Sequence, residues 1–196
     1  LQLKVGPNKS QNIQNAINHI RTAVGEKGAR IVALPECFNS PYGTQFFGEY
    51  AETIPNGETS QSLASIAKEL GIYVIGGTIP EKSLDDDKLY NTCTVWSPEG
   101  SLMATYRKIH LFDIDIPGGI TFKESDVLSA GNSLTVIPIE GRKIGIGICY
   151  DMRFSELSRL YRNMGCDMLI YPGAFNMKTG PLHWELLARA LSLIHI

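Results

Sequence analysis

The chain has 196 residues, 43% of them hydrophobic and 19% charged, with a formal net charge of −2. That balance suits a globular domain, and the lack of any basic run argues against a nucleic-acid partner, whose phosphates demand one. No segment approaches the roughly 20 consecutive apolar residues of a membrane span.

Apolar residues at Ile13, Ala16, Ile17, Ile20 and Val24 predict a helix over residues 8–24, with Asn8 or Ser10 as its cap and Gly25 or Gly28 as its stop. Residues 29–34 form a short apolar run closed by Pro35 and read as a buried strand. A second helix is expected over residues 59–70, with Leu63, Ile66, Ala67 and Leu70 on one face and Gly71 after it. A strand over residues 72–75 follows. Helix and strand thus alternate, as in an α/β layered fold. The acidic triple Asp85, Asp86 and Asp87 sits beside Lys82 and Lys88 and reads as a solvated loop tip.

The middle of the chain changes character. Residues 89–96 and 101–107 are β-prone runs around the turn-forming Ser97-Pro98-Glu99-Gly100. Residues 134–139 and 143–148 form a second antiparallel pair across Glu140-Gly141, so the sheet is mixed. Residues 109–131 between these pairs show little periodicity, yet Phe112, Ile114, Ile116 and Phe122 make them too apolar for disorder. A helix over 154–164, a strand over 167–171, a loop at 172–175 and a helix over 182–190 complete one domain spanning residues 1–190.

The four cysteines are Cys37, Cys93, Cys149 and Cys166. None forms a C-x-x-C pair and no histidine stands at zinc-finger spacing from them, so neither a metal site nor any other cofactor is expected. No basic region followed by an apolar stretch opens the chain, and scattered thiols without a secretory signal fit a reducing, cytoplasmic setting.

Three residues carry candidate chemistry, and each ends a predicted strand. Cys149 follows the buried run Ile144-Gly145-Ile146-Gly147-Ile148, at a strand end where α/β proteins place their sites. A thiol needs a base or a positive neighbour to become a good nucleophile. Glu36 follows Val32-Ala33-Leu34-Pro35, where desolvation raises a carboxylate's pKa and suits it to proton transfer. Lys108 closes the run before the long apolar segment and suits an oxyanion or a neighbouring thiolate. Taken singly, each has an ordinary alternative: a structural buried cysteine, a strand-end carboxylate in water, a lysine flanking an edge strand.

Together they fall within recognisable motifs. Leu34-Pro35-Glu36, Tyr106-Arg107-Lys108-Ile109-His110-Leu111-Phe112 and Gly147-Ile148-Cys149-Tyr150-Asp151-Met152-Arg153-Phe154 closely resemble the nitrilase superfamily. Pro35-Glu36-Cys37-Phe38-Asn39-Ser40-Pro41-Tyr42-Gly43, Phe112-Asp113-Ile114-Asp115-Ile116-Pro117-Gly118 and Tyr171-Pro172-Gly173-Ala174-Phe175-Asn176 are similar to its omega-amidase branch. The resemblance implies a four-layer αββα sandwich and a Glu36–Lys108–Cys149 triad. Glu36 would be the base, Cys149 the nucleophile, and Lys108 with the Tyr150 backbone N–H the oxyanion donors. Glu124 matches a supporting glutamate of the family, the alternative being a solvated loop carboxylate. The implied substrates are a small amide and water, the amide being a short dicarboxylate monoamide such as 2-oxoglutaramate or 2-oxosuccinamate. Tyr42, Tyr106, Phe112 and Phe175 are the expected pocket wall. Arg153 either binds the free carboxylate or pairs with a neighbouring acid as a scaffold residue, the latter being preferred.

The resemblance further implies a homodimer, and a cytoplasmic location with a mitochondrial one also open to the family. The same catalytic residues would serve another amidase, a carbamoylase or a nitrilase of the superfamily. A catalytically inactive interaction module is the rival from a different class, and a redox thiol protein would need Cys166 as resolving partner. Against the family pattern, the first strand starts partway along and Leu191-Ser192-Leu193-Ile194-His195-Ile196 departs from it. These features predict a sandwich incomplete at the C-terminus, a non-native tail over 191–196, and low stability from unpaired strand edges.

Overall fold

The computed structural model describes residues 1–195. Helix α1 (Lys9–Lys27) starts where the Asn8 side chain accepts the Gln11 N–H at 2.9 Å and stops at Gly28, whose φ of +62° is the left-handed C-cap conformation. Strand β1 (Ile31–Ala33), helix α2 (Thr44–Tyr50), helix α3 (Glu58–Leu70) and strand β2 (Tyr73–Ile75) follow. α3 also ends on a left-handed glycine, Gly71. Strands β3 (Ile79–Lys82), β4 (Leu89–Trp96) and β5 (Leu102–Arg107) complete the first sheet.

β1 runs parallel to β2, and β4 is antiparallel to β2, β3 and β5. β2 and β3 lie in succession along one edge of β4, Ile75 opposite Val95 and Ile79 opposite Thr92. The chain jogs between them at Gly76-Gly77. Gly77 has φ +56°, and a Cβ there would stand 2.2 Å from the Pro35 carbonyl oxygen, so backbone passes directly over the residue before Glu36.

The stretch at 109–131 is not a structureless loop. It folds into a hairpin of β6 (Asp113–Asp115) and β7 (Thr121–Lys123), then a 3-10 turn at Glu124–Asp126. Strands β8 (Val136–Ile139), β9 (Arg142–Ile146) and β10 (Met168–Ile170) form a second sheet, with β9 antiparallel to β8 and parallel to β10. Helix α4 (Ser155–Asn163) joins β9 to β10, and α5 (Gly180–Ser192) follows β10. Leu191 and Ser192 continue α5 without a break, and Leu193–His195 form a 3-10 turn. The final residue of the expected tail, Ile196, lies outside the described residues.

The sheets pack face to face. Ile75, Cys93, Val95 and Tyr106 from the first meet Ile137, Ile139, Ile144, Ile146 and Ile148 from the second. α1 and α3 cover the outer face of the first sheet through Ile13, Ile17, Ile20, Leu63 and Ile66 against Val32, Val74 and Trp96. α4 covers the second through Leu157 and Tyr161, the Tyr161 hydroxyl donating to the Ile146 carbonyl. The architecture is an αββα sandwich, and the ends of β1, β5 and β9 meet at one rim of it.

Candidate active site

Three strand ends deliver the three candidate residues. After β1, Leu34 donates to the Ile75 carbonyl at 3.0 Å and the Cys37 N–H to Thr78 Oγ1 at 2.8 Å, so Glu36 is held between the end of β2 and the segment that follows it. After β5, Lys108 donates its N–H to the Asn91 carbonyl (2.9 Å) and its own carbonyl accepts from Gly131 (2.8 Å). After β9, Cys149 donates to the Pro172 carbonyl at 2.8 Å and opens the 3-10 turn Cys149–Arg153. Cys37 and Cys149 both adopt left-handed backbone, at φ +49° and +41°. Such strain in non-glycine residues persists only where the surroundings over-determine it.

The side chains converge. Lys108 Nζ lies 2.9 Å from Glu36 Oε1 and 2.9 Å from Glu124 Oε2, and all three side chains are sealed from solvent. Glu36 Oε1 also accepts from Asn91 Nδ2 at 2.9 Å, and Oε2 accepts the Ala174 N–H at 3.1 Å. Glu124 is no solvated loop carboxylate: it accepts from the Tyr42 hydroxyl at 2.5 Å and from the Phe112 N–H at 2.7 Å. Cys149 is half-buried, and its thiol sits beside the Glu36 carboxylate and the Ala174 N–H.

The electrostatics follow from two buried carboxylates around one ammonium. Burial raises the Glu36 pKa above the ordinary carboxylate value, opposed by the Lys108 charge and reinforced by Glu124. Burial works against the Lys108 ammonium, yet Glu36 and Glu124 together hold its pKa above that of an ordinary lysine. The Cys149 thiol is pushed well up by burial and then by the Glu36 charge, with Lys108 pulling the other way. A resting thiol of this kind is protonated, so nucleophilic attack requires proton transfer to the adjacent carboxylate. Lys108 has three N–H donors, and with two directed at carboxylates a third is left for an oxyanion. Tyr150 lies in the first turn after the nucleophile, where a helix leaves N–H groups without internal partners.

Asp151 was not among the sequence candidates and is fully buried. Its Oδ2 accepts from the Ile148 N–H and the Tyr106 hydroxyl, each at 2.8 Å. Its Oδ1 accepts from the His110 N–H at 2.9 Å and faces His110 Nδ1 at 2.7 Å. The nucleophile's turn is thereby tied to β5 and to the segment following Lys108. Asn91 was likewise missed. Its only signal in the sequence is an amide side chain within the β-prone run of β4.

A cavity of about 390 Å³ opens beside Cys149. Tyr42, Phe112, Tyr150, Arg153 and Phe175 line it, as do Phe122, Lys178 and Thr179, which sequence reasoning did not single out. Tyr106 is a correction: its ring faces the core between the sheets, because the alternation of β5 turns it inward, and it does not line the cavity. The preferred role for Arg153 is also corrected. Among the described residues no acid forms an ion pair with it; Nη2 instead meets His183 Nδ1 at 3.0 Å, leaving a cation on the cavity wall.

Comparison with known proteins places this geometry in context. The family model described as carbon-nitrogen hydrolase matches residues 1–193. Omega-amidase NIT2-B of Xenopus laevis is 58% identical over 193 residues, covering 98% of this chain and 68% of the relative. Human omega-amidase NIT2 is 57% identical over 190 residues, covering 97% of this chain and 67% of the relative. Among solved structures, Saccharomyces cerevisiae Nit3, a member of branch 10 of the nitrilase superfamily, superposes with a TM-score of 0.86 at 43% identity, over 96% of this chain and 67% of that one.

Proposed function

The chain belongs to the carbon-nitrogen hydrolase family of the nitrilase superfamily, and from that premise we propose that it is an omega-amidase. It hydrolyses the terminal amide of short dicarboxylate monoamides, such as 2-oxoglutaramate and 2-oxosuccinamate, to the dicarboxylic acid and ammonia. The observation that carries this reading is the pairing of a sealed Glu36–Lys108–Glu124 cluster at Cys149 with Arg153, a cation without an acidic partner among the described residues, on the wall of the adjoining cavity. The omega-amidase relatives support the same substrate class.

Glu36 takes the thiol proton as Cys149 Sγ attacks the amide carbonyl carbon. The oxyanion is received by Lys108 Nζ and the Tyr150 N–H, donors fixed before the charge develops. As the tetrahedral intermediate collapses, Glu36 passes its proton to the leaving nitrogen, ammonia departs, and an acyl thioester remains. Water then gives a proton to Glu36 and attacks the thioester, and the acid leaves as the thiol regains its proton. Arg153 binds the substrate's free carboxylate, while Phe112, Phe175 and the Tyr42 ring enclose its short carbon chain. Glu124 holds the Lys108 ammonium on station. A homodimer and a cytoplasmic setting belong to the proposal. The exposed apolar residues Leu182, Trp184 and Leu186 on α5 support the first, and four free thiols support the second.

The test is ammonia release from 2-oxoglutaramate by the wild type and by Cys149→Ala. Release by the wild type alone is expected. No release by the wild type sinks the substrate class, and release surviving Cys149→Ala sinks the thioester route.

A further inference from the structure

Arg153 reaches the cavity wall from the turn that begins at the nucleophile, and one contact outside that turn fixes its head. Nη2 lies 3.0 Å from Nδ1 of His183, in the first turns of α5. A guanidinium has only donors, so Nδ1 accepts and the His183 imidazole carries its proton on Nε2. The same guanidinium stands 5.6 Å from the ring centre of Tyr150 and 6.0 Å from that of Phe175. Trp184, next to His183, packs edge-on against Phe175 at 4.9 Å. The start of α5 thus braces the cationic part of the wall and the aromatic part together. A side chain with as many rotatable bonds as arginine keeps one position only where its head is fixed, and the donors His183 leaves free remain available to a ligand.

We infer that His183 is a positioning residue that aims Arg153 at the substrate's free carboxylate and so sets the preference for amides bearing one over neutral amides. The inference rests on the omega-amidase reading for the presence of that carboxylate. His183 is absent from the hydrogen bonds of Glu36, Lys108 and Glu124, so its effect falls on substrate capture and spares the chemical step.

The experiment compares wild type, His183→Ala and His183→Asn on succinamate and on butyramide, its uncharged counterpart. For His183→Ala the KM for succinamate rises about tenfold with kcat within about twofold, while both constants for butyramide move by less than about twofold. His183→Asn, whose Oδ1 offers an acceptor close to the place of Nδ1, recovers most of the loss. Equal losses on both amides, an unchanged KM, or no recovery in an Asn variant that melts with the wild type would each overturn the assignment. Wild-type constants that do not distinguish the two amides would overturn the omega-amidase reading itself, before any variant is compared, and the role of His183 with it.

Discussion

Lys108 and Glu124 meet with no solvent around them, the ammonium 2.9 Å from one carboxylate oxygen and 3.1 Å from the other. Glu124 is anchored independently, by the Tyr42 hydroxyl and the Phe112 N–H. The ammonium is therefore aimed from the side of the β6–β7 hairpin as well as from Glu36, and its remaining donor has a fixed direction. A flexible lysine becomes a preorganised donor by this arrangement.

Lys108→Met leaves Glu36 and Glu124 buried around an uncharged side chain. Losing one partner of a buried ion cluster is expected to destabilise the fold by about 3–5 kcal/mol, read from urea unfolding. Loss of the oxyanion donor adds about 3–4 kcal/mol to the barrier, so kcat falls at least a hundredfold in whatever protein remains folded. A stable, active variant would refute the role.

The pH profile follows from Glu36. It acts as a base only when ionised, and burial holds its pKa above the ordinary 4.5. Protonation as pH falls through that raised value removes the base, so the acid limb of kcat/KM lies at higher pH than an exposed glutamate would give. An acid limb at or below 4.5 in the wild type, measured with a stable substrate, would contradict the geometry.

Glu36→Gln tests the thiol directly. Behind burial, the Glu36 charge is the largest influence holding the Cys149 pKa up, while Lys108 lowers it. Removing the carboxylate charge leaves the Lys108 effect less opposed, so the thiol becomes more acidic as hydrolysis is lost. The midpoint for iodoacetamide alkylation of Cys149 is expected to shift to lower pH. No shift, or an upward one, would separate Glu36 from the thiol.

Asp151→Ala strips the acceptor from the Ile148 N–H, the Tyr106 hydroxyl, the His110 backbone N–H and His110 Nδ1 at once. Buried donors left unmatched cost about 1–3 kcal/mol each, so a total loss of about 3–5 kcal/mol by chemical denaturation is expected. Asp151→Asn keeps the shape and one acceptor oxygen and loses less. Equal stability of Asp151→Ala and the wild type would show that the turn is held by other contacts.

Legibility in the sequence tracked the distance over which each residue finds its partners. α1 and α3 were visible because their apolar spacing and left-handed glycine stops are local signals. β3 was hidden by Pro80, a residue that reads as a strand breaker and is tolerated here with Asn91 opposite it. α2 was obscured by its brevity and by Gly48 inside it. The β6–β7 hairpin has strands of three residues, too short for a period to register. The triad was legible because each member closes a strand within a recognisable motif. Asn91 and Asp151 were not: the Glu36 partner of Asn91 lies 55 residues away, and beyond the nearby Ile148 N–H the partners of Asp151 lie 41 to 45 residues away. Tyr106 was misjudged because its inward direction is set by the pairing of β5, which places its ring between the sheets and its hydroxyl on Asp151, 45 residues away.

The left-handed backbone at Cys149 carries an evolutionary consequence. Glycine is the residue that conformation prefers, since any side chain there adds about 1–2 kcal/mol of steric conflict. Mutational drift toward a sturdier chain would thus favour loss of the sulfur. Cys37 shares the conformation without entering the chemistry, so a survey of stabilising substitutions would flag both cysteines alike, and only at Cys149 would the gain in stability cost turnover.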